Sequence, residues 1–194
     1  MANVTIISVG SLKEGYLREA VAEYKKRLSQ YARVDEVEIK EERINDEDNR
    51  AEIEGALSRE ADKILSAIPK DALKIALCVE GKQYSSEELA KLIGEGNDRG
   101  GKIAFIIGSS YGLSERVKKE CQLRLSFSKL TFPHQLMKVI LFESVYRSFT
   151  ILHGKRYHKK RKSRARQGAL FPVKLCFFIL LTILLFFLGH LYKF

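Results

Sequence analysis

The most constraining feature of the sequence is the stretch of residues 125–149, LSFSKLTFPHQLMKVILFESVYRSF, which joins a strand end to a long apolar helix. Its first three residues close a short β pattern, and a polar loop containing Ser128 and Thr131 follows. Pro133 stands where the helix begins, because its missing N–H costs nothing in a first turn. Free backbone N–H groups at such a junction, beside two hydroxyls, can hold an adenosine or a carboxylate. The stretch therefore predicts a ligand site at one edge of an α/β sheet.

The helix in this stretch is apolar around most of its circumference. At about 100° per residue, one side collects Phe142, Val145, Tyr146, Phe149 and Leu152, and the apolar surface extends over Met137, Ile140, Leu141 and Ile151. Such a helix needs a partner on each side, because exposing either side would leave a large apolar patch. We expect one side to lie on the sheet and the other to contact a second subunit.

Charge is distributed unevenly along the chain. The net charge of +10 comes from residues 155–194, which contain ten Lys or Arg and no acidic residue, so residues 1–154 carry 24 charges of each sign. The body is therefore neutral and the tail basic. A chain of 194 residues with 45% hydrophobic and 30% charged residues is typical of a globular protein with one α/β domain.

Cysteine usage and the N-terminus both favour a cytoplasmic protein. Cys78, Cys121 and Cys176 are too few and too scattered for a disulfide framework or a zinc site, so we expect reduced structural thiols and no metal. The first residues lack the basic and then apolar pattern of a secretory signal.

Strand and helix patterns alternate through residues 4–152. The predicted strands are 4–9, 34–39, 73–79, 102–107 and 123–127. The predicted helices are 13–30, 50–67, one that begins at Ser85 and is broken by Gly94, Gly96, Gly100 and Gly101, one from Ser114, and the last after Pro133. This alternation predicts an α/β fold with a mostly parallel sheet and helices on both faces.

Three loops of small residues follow consecutive predicted strands: EGK at 80–82, IGSSYGL at 107–113 and FSKLTF at 127–132. All three are expected at the carboxyl edge of the sheet, where ligands bind in parallel sheets, so together they predict one pocket. The first strand is not followed by GxGxxG, and no Walker A lysine pattern occurs, so neither a dinucleotide site nor a P-loop is predicted.

The order of five blocks resembles the RlmH family of SPOUT methyltransferases: VGSLKEGYLREAVAEYKKRL, LCVEGKQYSSEELA, FIIGSSYGL, the opening stretch, and HGKRYHK. The resemblance covers nearly all of residues 3–159. It implies a homodimer with a C-terminal trefoil knot and S-adenosylmethionine as methyl donor. It further implies methylation of N3 of a pseudouridine in 23S ribosomal RNA of the large subunit, on the assembled ribosome.

The resemblance also assigns roles to individual residues. It implies cofactor contacts by Leu77, Gly108, Phe127, Ser128, Lys129, Leu130, Thr131 and Phe132, and it puts Tyr157 and His158 at the RNA-facing, catalytic end. A tyrosine can stack on a base and a histidine can exchange a proton near neutral pH. Lys155, Arg156 and Lys159 are candidates for phosphate contacts.

Other candidates for the proton transfer remain open. Glu143 and Arg147 lie four residues apart, which favours a helical ion pair. His134 follows Pro133, where capping or packing at the pocket is favoured over catalysis. His153 is a further candidate.

Two features depart from the family pattern. Ser109 follows Gly108 where the family has a second glycine, and its Cβ is added where the backbone approaches the cofactor. The chain also continues beyond the YHK motif, which gives a methyltransferase domain of residues 1–159 and an extension of residues 160–194, basic and then apolar. As a helix, residues 175–192 would be about 27 Å long, at the short edge of what spans a hydrocarbon core of about 30 Å, so this extension is either a weak membrane tether or an accidental addition. A non-catalytic ribosome-binding factor of the same fold is the alternative function.

Overall fold

In the computed structural model, residues 1–98 and 100–155 are described, and they form five strands and five helices in alternation. The elements are β1 (Ala2–Val9), α1 (Gly15–Leu28), β2 (Ala32–Ile39), α2 (Arg50–Ala67), β3 (Leu73–Gln83), α3 (Ser86–Asp98), β4 (Lys102–Ile107), α4 (Glu115–Glu120), β5 (Leu123–Ser126) and α5 (His134–Leu152). The strands form one sheet in the order β2-β1-β4-β3-β5 with every pairing parallel. The predicted α/β fold is confirmed, and the sheet in the described residues is wholly rather than mostly parallel.

Helices cover both faces of this sheet. Successive side chains of a strand point to opposite faces, and in β1 Val4 and Ile6 join one apolar cluster while Ile7 and Val9 join another. The larger cluster contains residues of α1, α3 and α5, and the smaller one contains residues of α2 and α4. All four β1 side chains are buried, which is typical of a strand in the middle of a parallel sheet.

Side-chain caps set the starts of two helices. The predicted capping box of α3 is confirmed, because the Ser85 N–H donates to Glu88 Oε2 at 2.7 Å and the Glu88 N–H donates to Ser85 Oγ at 3.1 Å. At the start of α2, Asn49 Oδ1 accepts from the N–H groups of Ala51 and Glu52 at 3.1 and 3.2 Å. These local bonds explain why both starts are readable from the sequence.

The prediction that glycines break the third helix at Gly94 and Gly96 is wrong, because α3 continues to Asp98. Both glycines lie where the helix packs closely on its neighbours. A Cβ at position 94 would stand 3.0 Å from Leu152 Cδ2, and one at position 96 would stand 2.9 Å from Leu73 Cδ2. A helical glycine costs about 1 kcal/mol relative to alanine, and here the close approach of α5 and β3 offsets that cost.

Helix α5 begins directly after Pro133, as predicted, and the side that carries Phe142, Val145 and Phe149 is the one that is buried. Phe142, Val145 and Phe149 have almost no exposed surface. Leu152 was expected on the same side but is 43% exposed, since it is the last residue of the helix.

A lysine is buried beneath the same helix. Lys138 is 2% exposed, and its Nζ lies 2.7 Å from Glu38 Oε1 and 3.2 Å from Glu36 Oε2. Lys25 Nζ lies 2.8 Å from the other oxygen of Glu36, so the network joins α1, β2 and α5. Burial raises the pKa of Glu36, but the hydrogen bonds and charges of Lys25 and Lys138 outweigh it and hold that pKa below its ordinary value.

Two of the three cysteines lie in the described residues. Cys78 and Cys121 are half-buried and form no disulfide, and burial raises the pKa of Cys121 to about 11. Both are therefore protonated thiols at neutral pH, while Cys176 lies outside the described residues. None of the helices in residues 1–98 and 100–155 has the length and hydropathy needed to cross a membrane. The stretch 175–192, predicted as a possible span, lies outside these residues.

Candidate functional site

A cavity of about 670 Å³ opens at the carboxyl ends of β3, β4 and β5. Its walls come from three chain segments, within residues 77–80, 107–113 and 125–133, and from Lys118, His134 and Met137. The segments singled out in the sequence thus lie around one cavity. Its volume is within the range of about 300 to 1,000 Å³ that small-molecule sites occupy.

Seven of the eight residues to which the resemblance assigns cofactor contacts line this cavity. They are Leu77, Gly108, Phe127, Ser128, Leu130, Thr131 and Phe132. The eighth, Lys129, has an exposed side chain and does not line it.

Hydrogen bonds within the loop after β5 shape this wall of the cavity. Ser126 Oγ donates to the Ser128 carbonyl at 2.9 Å, and the Leu130 N–H donates to Ser128 Oγ at 3.0 Å. The two serine hydroxyls therefore fold the loop on itself. Leu130 is 69% exposed although it lines the cavity, so an apolar side chain stands at the mouth.

The second wall is a tight turn after β4. The Gly112 N–H donates to the Ser109 carbonyl at 2.9 Å, and Gly112 has a φ of +85°. A Cβ on Gly108 would stand 2.1 Å from the Gly112 carbonyl oxygen, so only glycine fits. The backbone of the turn itself therefore requires glycine at position 108, whether or not a ligand also lies close to it.

The third wall is formed by β3 itself, and the prediction of a loop with the sequence EGK at residues 80–82 is wrong. Residues 80–82 do not form a loop after a strand, because β3 continues to Gln83 with an irregularity. Leu77 and Lys82 both pair with Leu125, so the intervening residues bulge out of the sheet. A Cβ on Gly81 would stand 2.8 Å from the backbone of Arg124, which explains the glycine. The bulge brings Cys78, Val79 and Glu80 into the cavity wall.

Glu80 in this bulge is held by a cation. Lys118 pairs with both Glu80 and Glu115, and its hydrogen bond is the main reason that the pKa of Glu80 lies below its ordinary value. The carboxylate at this side of the cavity is therefore ionised and neutralised.

Sequence reasoning missed a buried carboxylate behind the Gly108 turn. Glu60 of α2 is 3% exposed, its Oε2 accepts from Ser109 Oγ at 3.1 Å, and its Oε1 accepts from the Glu42 N–H at 3.0 Å. Burial raises its pKa and outweighs these two hydrogen bonds, which lower it. One signal was present in the sequence, because Glu60 lies four residues from both Ala56 and Ile64 on the buried side of α2.

Further contacts fasten the connector after β2 to the same turn. Ser110 Oγ donates to Glu41 Oε1 at 3.2 Å. Loss of hydration, and then the carboxylates of Glu47 and Glu41, raise the pKa of the Tyr111 hydroxyl. The turn and the connector of residues 40–49 are therefore in contact through several side chains.

The remaining polar candidates have structural partners. Glu143 and Arg147 form the ion pair that their spacing predicts. His134 lines the cavity, and its Nε2 would lie 3.1 Å from a Cβ on Gly10, so it packs at the pocket as expected. His153 has its Nδ1 2.8 Å from the Phe149 carbonyl, to which it donates as the Nδ1–H tautomer.

Lys155 is the only predicted RNA-contacting residue within the described part of the chain. Its Nζ donates to Gln30 Oε1 at 3.1 Å and lies 4.9 Å from the ring centroid of Tyr31. Arg156, Tyr157, His158 and Lys159 lie outside the described residues. Within residues 1–98 and 100–155, no cluster of His, Cys, Asp and Glu has an arrangement that could hold a metal ion.

Comparisons with known proteins give the chain a family. A family model described as "Predicted SPOUT methyltransferase" matches residues 2–158. The chain is 46% identical over 156 residues to ribosomal RNA large subunit methyltransferase H of Caldicellulosiruptor saccharolyticus, covering 80% of this chain and 99% of that protein. It is 48% identical over 158 residues to the protein of the same name from Shouchella clausii, covering 81% and 99%.

A solved structure agrees at the level of the fold. The crystal structure of a probable methyltransferase from Bordetella pertussis superposes with a TM-score of 0.50 at 16% identity, covering 76% of this chain and 96% of that one. Residues 2–158, which the family model matches, include every strand and helix around the cavity, and the family is the one that the sequence motifs resemble. The chain therefore belongs to the RlmH family of SPOUT methyltransferases.

Proposed function

We propose that this protein is an S-adenosylmethionine-dependent methyltransferase that methylates N3 of a pseudouridine in 23S ribosomal RNA, on the assembled ribosome in the cytoplasm. The observation that carries the proposal is the cavity at the carboxyl edge of the sheet, which is lined by seven of the eight residues to which the resemblance assigns cofactor contacts. The relatives from Caldicellulosiruptor saccharolyticus and Shouchella clausii are named ribosomal RNA large subunit methyltransferase H, which supports the substrate class.

The residues of the cavity fit a sulfonium cofactor with an adenosine and an amino-acid carboxylate. The Gly108 turn and the loop of residues 127–132 offer backbone N–H groups and hydroxyls, and Leu77 and Phe127 offer apolar surface for a base. Bound there, S-adenosylmethionine supplies an electrophilic methyl group. The task of the chain is then to orient the two reactants and to exclude competing water.

The reaction also requires loss of a proton from pseudouridine N3, which is protonated at neutral pH. We assign this step, or stabilisation of the resulting anion, to His158 with Tyr157 stacking on the base. Lys155, Arg156 and Lys159 would bind phosphates. Glu143, Arg147 and His153 already have partners within α5, which disfavours these three residues as the group that takes the proton.

Cofactor binding is the first test of the proposal. We expect calorimetry to detect one S-adenosylmethionine per chain, and Gly108→Val to abolish the signal. A protein that bound ribosomes but no S-adenosylmethionine would instead be the non-catalytic factor.

We further propose a homodimer whose active sites are shared between protomers, with a knotted domain of residues 1–159. The support is an outward surface of α5 with apolar residues, including Leu136 at 36% exposure and the half-buried Ile140. In the test, inactive Gly108→Val and His158→Ala chains are mixed, unfolded together and refolded. Recovery of activity is expected, because a mixed dimer regains one intact site, whereas no recovery would mean that each site is built within one chain.

A further inference from the structure

The Gly108 turn is supported from behind by Glu60, whose two carboxylate oxygens are used by two different segments. One oxygen accepts from Ser109 Oγ in the turn, at 3.1 Å, and the other accepts from the N–H of Glu42 in the connector after β2, at 3.0 Å. Glu60 itself lies on α2, a regular helix with 18 residues. One buried side chain on a rigid helix therefore joins two loops at the rim of the cavity.

We propose that Glu60 is a positioning residue for the methyl-donor site, holding the turn of residues 108–112 through Ser109 in the conformation that binds S-adenosylmethionine. The inference rests on the proposed function and adds to it a residue that does not itself touch the cofactor.

The cost of burying Glu60 argues against a role in stability alone. A buried carboxylate is costly unless it is paired, and an apolar side chain of similar size would fill the space more cheaply. In the described part of the chain no cation pairs with Glu60, and Arg59 and Lys63 of the same helix both bind Glu42. The charges of Glu41 and Glu42 oppose its ionisation further. Ionisable groups placed at such a cost beside a cavity are more frequent at functional sites than elsewhere.

The geometry of Ser109 gives the carboxylate a direct effect on the cavity. The hydroxyl of Ser109 donates to Glu60, while its carbonyl accepts from the Gly112 N–H at 2.9 Å. The residue is 7% exposed, so its hydroxyl is directed into the protein although the residue lines the cavity. The turn that contains Gly108 is thus fixed at Ser109, and the serine that replaces the family's glycine has a defined partner.

The test compares Ser109→Ala and Glu60→Met with the wild type in the full chain. Each variant removes the hydrogen bond between these two side chains, and we expect Kd and KM for S-adenosylmethionine to rise about tenfold. At saturating cofactor, kcat should change by less than about twofold, because the turn is then held by the ligand. Ser148→Ala is the matched control, since it also removes a buried hydroxyl that donates one hydrogen bond, to the Ser144 carbonyl of α5.

Three outcomes decide the inference. In the supporting outcome each single variant raises Kd, and the combined variant binds S-adenosylmethionine no more weakly than the weaker-binding single variant. Such a double-mutant cycle establishes that Ser109 and Glu60 act as a unit. An unchanged Kd in both single variants, or a kcat loss as large as the rise in KM, overturns it. If the wild type itself binds no S-adenosylmethionine, the proposed function fails. Hydrogen exchange at the Gly112 N–H then decides separately whether the Ser109–Glu60 contact holds the turn. Faster exchange in Ser109→Ala than in Ser148→Ala means that the contact holds the turn, and equal exchange means that it does not.

Discussion

Two charged side chains are buried among the described residues, Lys138 on α5 and Glu60 on α2, and they lie on opposite faces of the sheet. Lys138 is enclosed by the carboxylates of Glu36 and Glu38, so its charge is neutralised at close range. Within residues 1–98 and 100–155, Glu60 has only a hydroxyl and a backbone N–H as partners, and no cation pairs with its carboxyl group. The first arrangement ties elements of the fold together, whereas the second ties loops at the rim of the cavity.

The difference separates a stabilising network from a positioning one. Removing one partner of a buried ion pair leaves an unpaired buried charge, which is strongly destabilising. Single substitutions in the Lys138 network should therefore lower the free energy of unfolding. No cation among the described residues offsets the burial of Glu60, so we infer that its role is the geometry that it imposes on the Gly108 turn. Changes on the α5 side should therefore affect unfolding, and changes on the turn side should affect cofactor binding.

The largest effect on stability is expected from removing both carboxylates around Lys138. The double change Glu36→Gln and Glu38→Gln leaves an ammonium group buried without an anion, and we expect the free energy of unfolding to fall by about 3 kcal/mol. Denaturant unfolding measures this loss. Affinity for S-adenosylmethionine in the folded fraction should be unchanged.

Lys138→Met is the matched control for that experiment, because it removes the buried charge and leaves two carboxylates that water can reach. It should cost clearly less than the double change. A larger cost for Lys138→Met would mean that the lysine is needed for its packing, and the network would then not be electrostatic in origin.

The next largest effect is expected on the turn side, from Gly108→Val. Its Cβ would collide with the Gly112 carbonyl, so the turn must open, and we expect affinity for S-adenosylmethionine to fall at least about 100-fold. Calorimetry checks this. Gly55→Ala on α2 is the control, since a Cβ there meets only the flexible end of Arg59 at 3.5 Å. Equal affinity in Gly108→Val and wild type would place the cofactor elsewhere.

A smaller effect is the pH dependence of stability, which should have opposite signs in the two regions. The pKa of Glu36 is lowered, so the stability it contributes is present above its unfolded-state pKa and is lost as pH falls through the folded value. Burial raises the pKa of Glu60, so its contribution is present below the unfolded-state pKa and is lost as pH rises through the folded value.

Unfolding of wild type, Glu36→Gln and Glu60→Gln between about pH 3 and pH 8 measures both slopes. The advantage of the wild type over Glu36→Gln should shrink toward acid pH. Its advantage over Glu60→Gln should shrink toward neutral pH. If both advantages changed in the same direction with pH, the predicted difference between the environments of Glu36 and Glu60 would be wrong.

Local patterns account for the parts of the fold that the sequence predicts well. Helix α2 was predicted at residues 50–67 and has those bounds, because Asn49 caps its start and Pro69 follows its end. The apolar run of β1 and the capping box at Ser85 were equally readable, since each depends on neighbours within a few residues.

The parts that sequence reasoning missed depend on distant contacts. The extension of β3 through Gln83 is set by pairing with β5, about forty residues further along the chain. Gly94 stays helical because α5 packs over it. Glu60 and Ser109 are 49 residues apart, and nothing local to either residue predicts that they meet.

The smallest effect is expected from removing residues 160–194. A chain ending at Lys159 retains the whole segment matched by the family model, so we expect its stability, cofactor affinity and methyl transfer to equal or exceed those of the full chain. Activity assays on both chains check this. A shortened protein that folds and binds S-adenosylmethionine but no longer methylates would show that the extension belongs to the enzyme.

The central claim is tested most directly by methyl transfer to ribosomes from a strain that lacks the endogenous activity. The protein is incubated with these ribosomes and labelled S-adenosylmethionine, and the modified nucleotide is mapped by mass spectrometry, with His158→Ala and Gly108→Val chains as controls. We predict one methyl group on N3 of one pseudouridine of 23S ribosomal RNA, and none from either control. Label at another nucleotide, or no transfer by a wild-type protein that binds both ribosomes and cofactor, would contradict the account.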